Sequence, residues 1–199
     1  MNRTELTDSE SAAAVAFLFE TGTLRALPRT GWRYDLIPDP ETVAEHSHRT
    51  AVIGPVLAVL EGADPARTTL LCTYHDVPET RLGDQTPITR RYVSTADPRK
   101  VIADQVFGTH PALQAMVAAA VEEFEAGESP EAVCARDADK LDCLLRALEY
   151  QAVGYPSGDK AERCRAALVT DSARRLADAA IAMDPAQWQH TLLGTPAAN

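Results

Sequence analysis

The sequence predicts an all-α fold, and three observations predict it. Apolar residues recur at three- and four-residue steps. Leu113, Met116, Val117, Ala120, Val121 and Phe124 form one such stripe, and Val133, Leu141, Leu144, Leu145, Leu148 and Val153 form another. Alternating β-branched runs, the mark of half-buried strands, are nearly absent. Helix-start signals punctuate the chain at Asp39-Pro40, Asp64-Pro65, Asp97-Pro98, His110-Pro111, Ser129-Pro130 and Asp184-Pro185. At each, a polar side chain can accept from a free N–H while proline takes the first helical position.

The elements follow in order. A helix over 8–25 opens on Thr7-Asp8-Ser9-Glu10, which fits a capping box. Helices over 40–61, 65–77 and 98–107 each follow an Asp-Pro pair, and helices over 111–126 and 130–153 follow His110-Pro111 and Ser129-Pro130. The run Gly154-Tyr155-Pro156-Ser157-Gly158 breaks the chain before a helix over 160–183 and a last one over 185–193. This makes a single bundle of about eight helices spanning 1–199, with its core at about 8–183 and a C-terminal helix and tail at 184–199. Residues 194–199 are expected to fray. The stretches 28–39 and 83–94 read as loops that hold charged and aromatic residues, and loops on a helical scaffold tend to carry sites.

Composition narrows the function. With 199 residues, 45% of them hydrophobic, the chain can close a core without disulfides. Nineteen basic against 29 acidic residues give a net charge of −10, a poor basis for non-specific nucleic-acid binding. An anionic ligand needs a local positive field from arginine or a metal. No apolar stretch approaches the ~20 residues of a membrane span, and the polar start MNRTELTDSE is not a signal peptide. Cys72, Cys134, Cys143 and Cys164 lack CxxC spacing and read as free thiols in a reducing cytoplasm.

Five histidines are few enough to weigh singly. His75-Asp76 is an adjacent pair at a helix end, and His46 lies in the helix before it. Asp139 lies near the apolar stripe of the 130–153 helix, where a carboxylate without a counter-charge is costly. Two imidazoles and two carboxylates would hold one divalent ion. The set suits Mn, Fe, Co, Ni or Zn better than Ca, and Mg is less natural with two histidines. Glu79 and Asp84 are the available acid–base groups; Glu79 shares a face with His75 and Asp76 if their helix continues. His48 reads as a surface group, Asp137 and Asp142 as solvent-facing or paired with Arg136 and Arg146, and His110 and His190 as structural. Glu122, Glu123 and Glu125 form an acidic run on a solvated face, one of which could reach a pocket mouth.

In order, His46, His75-Asp76 and Asp139 resemble the H…HD…D signature of the HD-domain metal-dependent phosphohydrolases. Surrounding blocks resemble their 5′-deoxynucleotidase branch: Arg29-Thr30-Gly31-Trp32, Thr42-Val43-Ala44-Glu45-His46-Ser47, His75-Asp76-Val77-Pro78-Glu79 with Gly83-Asp84, and Asp137-Ala138-Asp139-Lys140-Leu141 with Leu148-Glu149-Tyr150. The resemblance implies one divalent metal held by His46, His75, Asp76 and Asp139. It implies hydrolysis of a (deoxy)nucleoside 5′-monophosphate to nucleoside and phosphate by a homodimer. It also implies that Arg29 and Trp32 contact the nucleotide, although Gly31 stands where some members place arginine directly before the tryptophan, and Arg33 competes for that role. A two-iron oxygenase is disfavoured because only His110 lies between the HD pair and Asp139. Hydrolysis of another phosphorylated nucleotide, or nucleotide binding without catalysis, are the alternatives.

Overall fold

The computed structural model describes residues 5–194. Among them all regular structure is helical, with one isolated β-bridge between Pro28 and Thr42. The helices are α1 (Asp8–Thr21), α2 (Val43–Glu61), α3 (Pro65–Tyr74), α4 (Glu79–Leu82), α5 (Pro98–Gln105), α6 (Pro111–Ala126), α7 (Pro130–Ala152), α8 (Gly158–Ala167), α9 (Asp171–Ile181) and α10 (Gln187–Leu193). Short 3₁₀ turns occupy Gly22–Ala26, Thr30–Asp35 and Thr89–Arg91. The expectation for the tail falls, from Thr195 on, outside the described residues.

Most of the start signals act as caps. The Thr7 box forms with Glu10, Asp64 accepts from the N–H groups of Ala66 and Arg67, Asp97 from Arg99, His110 from Ala112 and Ser129 from Ala132. Asp39-Pro40 does not open a helix. The start of α2 is set three residues later by a second capping box, in which Thr42 and Glu45 satisfy each other's backbone N–H.

Two expected helices divide. The 65–77 helix stops at Tyr74, because Pro78 lacks an N–H and restricts Val77; the chain turns through His75–Pro78 and restarts as α4. The 160–183 helix breaks at Leu168, which is extended at φ −69° and ψ 138°. The cause is Asp137 on α7. Its carboxylate accepts from the Val169 and Thr170 N–H groups and from the Thr170 hydroxyl, and Thr170 then caps α9. Asp137 is therefore buried at 2% exposure, which corrects its reading as a solvent-facing or Arg136-paired residue.

Two apolar clusters build the interior. The larger joins Leu57 of α2, Leu71 and Cys72 of α3, and Ala135, Ala138, Leu141 and Leu144 of α7. The smaller joins Phe17, Val43, Val77, Ile102, Val106 and Val117. Along the chain His46 lies between Val43 of one cluster and Leu57 of the other, and His75-Asp76 between Cys72 and Val77. The candidate ligands thus stand on backbone anchored from both sides. Gly54 lets α2 and α3 close up: a Cβ there would lie 2.5 Å from Cys72 Sγ and 3.2 Å from a Thr68 methyl.

Glu20 ties α1 to the elements around α4. It accepts from Thr80 Oγ1, Arg81 Nε and Gln105 Nε2 at 2.7–2.9 Å. The Arg81 hydrogen bond, helped by those of Gln105 and Thr80, lowers its carboxyl from 4.5 to about 2. Stabilisation from this group is therefore complete above pH 4.5 and fades as pH falls toward 2. Glu20→Ala should cost about 0.5–1.5 kcal/mol at neutral pH, since solvent screens the Arg81 pair. In denaturant melts the gap from the parent chain should shrink on acidification; a pH-independent gap contradicts this role.

Candidate metal centre

Three segments bring four donor side chains together around His46, which groups with His75 and Asp76 on one side and with Asp139 on the other. His46 comes from α2, His75 and Asp76 from the turn after α3, and Asp139 from the middle of α7. His46 Nε2 lies 3.3 Å from Asp139 Oδ1 and 3.5 Å from Asp76 Oδ2, and His75 Nε2 lies 3.2 Å from Asp76 Oδ2. The rings stand edge to face, 5.4 Å apart, and Phe124 backs His75 at 4.9 Å.

The other ring nitrogen of each histidine is committed. His75 Nδ1 donates to the Cys72 carbonyl at 2.7 Å, and His46 Nδ1 donates to Asp142 Oδ2 at 2.6 Å. Such partners fix the ring orientation and direct Nε2 toward a ligand. Both Nε2 atoms are buried without a hydrogen-bond partner. Burial and Arg29 oppose a charge on His46, yet Asp139 and Asp142 outweigh them and raise its pKa to about 10. Carboxylates on both sides of one imidazole demand positive charge between them. Orphaned nitrogens, facing carboxylates and separations near 3 Å fit one divalent cation with His46, His75, Asp76 and Asp139 as its holders.

Asp142 is fully buried, which corrects its reading as solvent-facing or Arg146-paired. It holds His46 and is itself held by the Arg49 guanidinium, which continues to Glu149 at 2.6 Å. The sequence carried a signal for this: Arg49 is one turn after His46, and Asp142 nearly one turn after Asp139.

Arg29 lies over the same centre. Its Nη1 donates to Asp76 Oδ2 at 3.2 Å and stands 3.5 Å from Asp84 Oδ1, while Nη2 donates to Cys143 Sγ at 3.3 Å. The loop is pinned to the start of α2 by Arg29 N–H to Glu41 O and Val43 N–H to Leu27 O, both 2.8 Å. Asp84 holds it from the other side by accepting from the Thr30 N–H. Gly83 at φ +72° makes the turn that delivers Asp84 from α4. Arg33 is exposed, so Arg29 and not Arg33 faces the centre.

Trp32 is placed differently from the expected nucleotide contact. It is 2% exposed, packs edge-on to Tyr150 at 5.1 Å, donates to Glu41 Oε1 at 2.9 Å and carries Lys160 Nζ 4.0 Å above its ring. With no surface to offer, it secures the Arg29 loop to the core.

A cavity of about 250 Å³ opens beside the centre, lined by His75, Asp76, Glu79, Gln85, Arg90 and Glu125 among others. Glu79 reaches it from α4 and not by continuation of α3. Its Oε2 is buried without a partner. Burial, with Asp76 and Asp84 nearby, pushes its carboxyl up from 4.5 to about 10. Glu125 is the member of the acidic run that reaches the cavity, while Glu123 pairs with Arg67 at 2.6 Å and Glu122 is exposed. A second, shallower groove of about 520 Å³ beside His48 contains none of the four donors. Its Arg49 and Arg146 are already paired with acids. His110 caps α6, as a structural residue would.

Comparison with known proteins adds three findings. An HD-domain family model matches residues 21–177. The 5′-deoxynucleotidase hdd1 of Schizosaccharomyces pombe is 28% identical over 72% of this chain and 75% of its own, and the human 5′-deoxynucleotidase HDDC2 is 30% identical over 71% and 70%. The crystal structure of a predicted metal-dependent phosphohydrolase from Magnetospirillum magnetotacticum superposes with a TM-score of 0.66 at 23% identity, covering 88% of this chain and 92% of that one; at that identity the likeness speaks for the fold.

Proposed function

The chain belongs to the HD-domain family, and from that premise and the geometry of the centre we propose that it is a divalent-metal-dependent phosphohydrolase that removes the 5′-phosphate from (deoxy)nucleoside monophosphates. The observation that carries the reading is the meeting of two orphaned, buried Nε2 atoms with two carboxylates at the end of a cavity that also holds Glu79. The relatives named for 5′-deoxynucleotidase activity supply the substrate class.

His46, His75, Asp76 and Asp139 would hold the divalent ion, which would supply Lewis acidity toward phosphoryl oxygens and make a nearby water easier to ionise. Mn, Co, Ni, Fe and Zn are the proposed ions, ahead of Mg. Arg29 offers a planar fork to the phosphoryl oxygens, the positive field that a chain of net charge −10 needs to receive an anion. Glu79, whose carboxyl is pushed up by burial and by Asp76 and Asp84, is the group placed to carry a proton between the incoming water and the departing 5′-oxygen. Asp84 orients Arg29 through the Thr30 N–H and turns its other oxygen toward the guanidinium. Trp32 acts through the loop it anchors.

We assign the protein to the cytoplasm, where its four free thiols suit a reducing milieu. We also propose a homodimer. Helix α2 exposes Val52, Val56, Val59 and Leu60, whose spacing places them along one side of the helix. Light scattering should return twice the chain mass; a monomer at micromolar concentration contradicts it.

The test of function is a phosphate-release panel of deoxynucleoside and nucleoside monophosphates, with di- and triphosphates alongside, crossed with Mn, Co, Ni, Zn and Mg. Release from at least one deoxynucleoside monophosphate with a transition metal is the expected result. No release from any monophosphate with any of the metals rejects the reading.

A further inference from the structure

Cys143 has no part in the chemistry described so far, yet its thiol stands at the centre. It lies four residues after Asp139 on α7, one turn along the same face. Its Sγ, a ring nitrogen of His46 and a carboxylate oxygen of Asp139 all lie within 4.8 Å of one another. His46 Nε2 in that group is buried and unpartnered. Arg29 Nη2 donates to the same sulfur at 3.3 Å while Nη1 donates to Asp76.

We propose that Cys143 Sγ joins His46 and Asp139 in holding the divalent ion, so that this centre carries a thiolate and is selective for thiophilic metals. The inference rests on the metal reading above. Two imidazoles and two carboxylates form a donor set of hard and borderline character; a thiolate shifts it toward Zn, Co and Cd and away from Mn and Mg. Formal charge balances. The Asp76 and Asp139 carboxylates offset the dication, and the adjacent Arg29 guanidinium offsets the thiolate. On binding, the S–H bond breaks, its proton leaves to solvent and the sulfur–metal bond forms, with no change of oxidation state.

The experiment is titration of the metal-free protein with Co(II), followed by absorbance. Visible d–d bands report occupancy of the centre, and a near-ultraviolet thiolate-to-cobalt charge-transfer band reports sulfur. The full chain should show both. Cys143→Ser should keep the d–d bands, lose the near-ultraviolet band, and bind Cd(II) on the order of tenfold more weakly with Mn(II) affinity little changed. Cys164→Ser should keep both bands. X-ray absorption of the unmutated Zn(II) protein gives a reading that needs no variant: one Zn–S distance of about 2.3 Å is expected. Occupancy with d–d bands but no charge-transfer band, a band that survives Cys143→Ser, or a zinc shell of nitrogen and oxygen alone overturns the sulfur ligand and leaves the metal centre standing. No cobalt binding at all overturns both.

Discussion

Asp139→Ala is expected to leave the fold intact and to abolish both metal binding and phosphate release. Burial opposes the Asp139 charge, but Lys140, His46 and His75 hold the carboxyl well below its usual range. It is therefore a fixed anion in a tight site, the form a metal ligand needs. Its removal leaves Asp76 as the only ligand carboxylate facing His46 Nε2. The loss should exceed the roughly 10–100-fold in affinity that outer partners such as Asp142 are worth. Elemental analysis of the purified variant, with circular dichroism to confirm helix content, measures this. Retention of a full equivalent of metal rejects Asp139 as a ligand. Asp139→Asn, which keeps the shape, separates loss of charge from loss of packing.

Glu79→Gln should give the opposite pattern, with metal content unchanged and turnover reduced by roughly 10²–10⁴-fold. Gln fills the same volume beside Asp76 and Asp84 but cannot cycle a proton. Since Glu79 does not stand among the donors that face His46 and His75, metal stoichiometry should match the parent chain. Steady-state kinetics should place the loss in kcat with little change in KM, as expected for a group that acts only as bonds break. Normal turnover in Glu79→Gln removes the proton-carrying role and shifts attention to Asp84.

Sequence legibility follows a physical line. Caps are local chemistry, so Thr7-Glu10, Asp64-Pro65 and Ser129-Pro130 announced their helices, and the stripe on α7 announced its buried face. The order His46, His75-Asp76, Asp139 named the residues that the fold brings within 3.5 Å of a neighbouring donor. What stayed hidden depends on partners distant in the chain. The break at Leu168 is made by Asp137, 32 residues before Val169, and no local pattern reports that capture. Asp142 looked like one of several surface acids until His46 and Arg49, 96 and 93 residues away, claimed it. Trp32 carried a ligand-contact signature on a short loop, but Tyr150, Glu41 and Lys160 converge to bury it. Cys143 was one free thiol among four until Arg29 and Asp139 framed it.

The central claim is that His46, His75, Asp76 and Asp139 grip a single divalent cation. The most direct measurement is anomalous diffraction from a crystal grown or soaked with Mn(II). One anomalous peak within about 2–2.3 Å of a donor atom from each of the four side chains is the predicted result. A peak bound elsewhere, or no peak between the two Nε2 atoms and the two carboxylates at saturating metal, contradicts it.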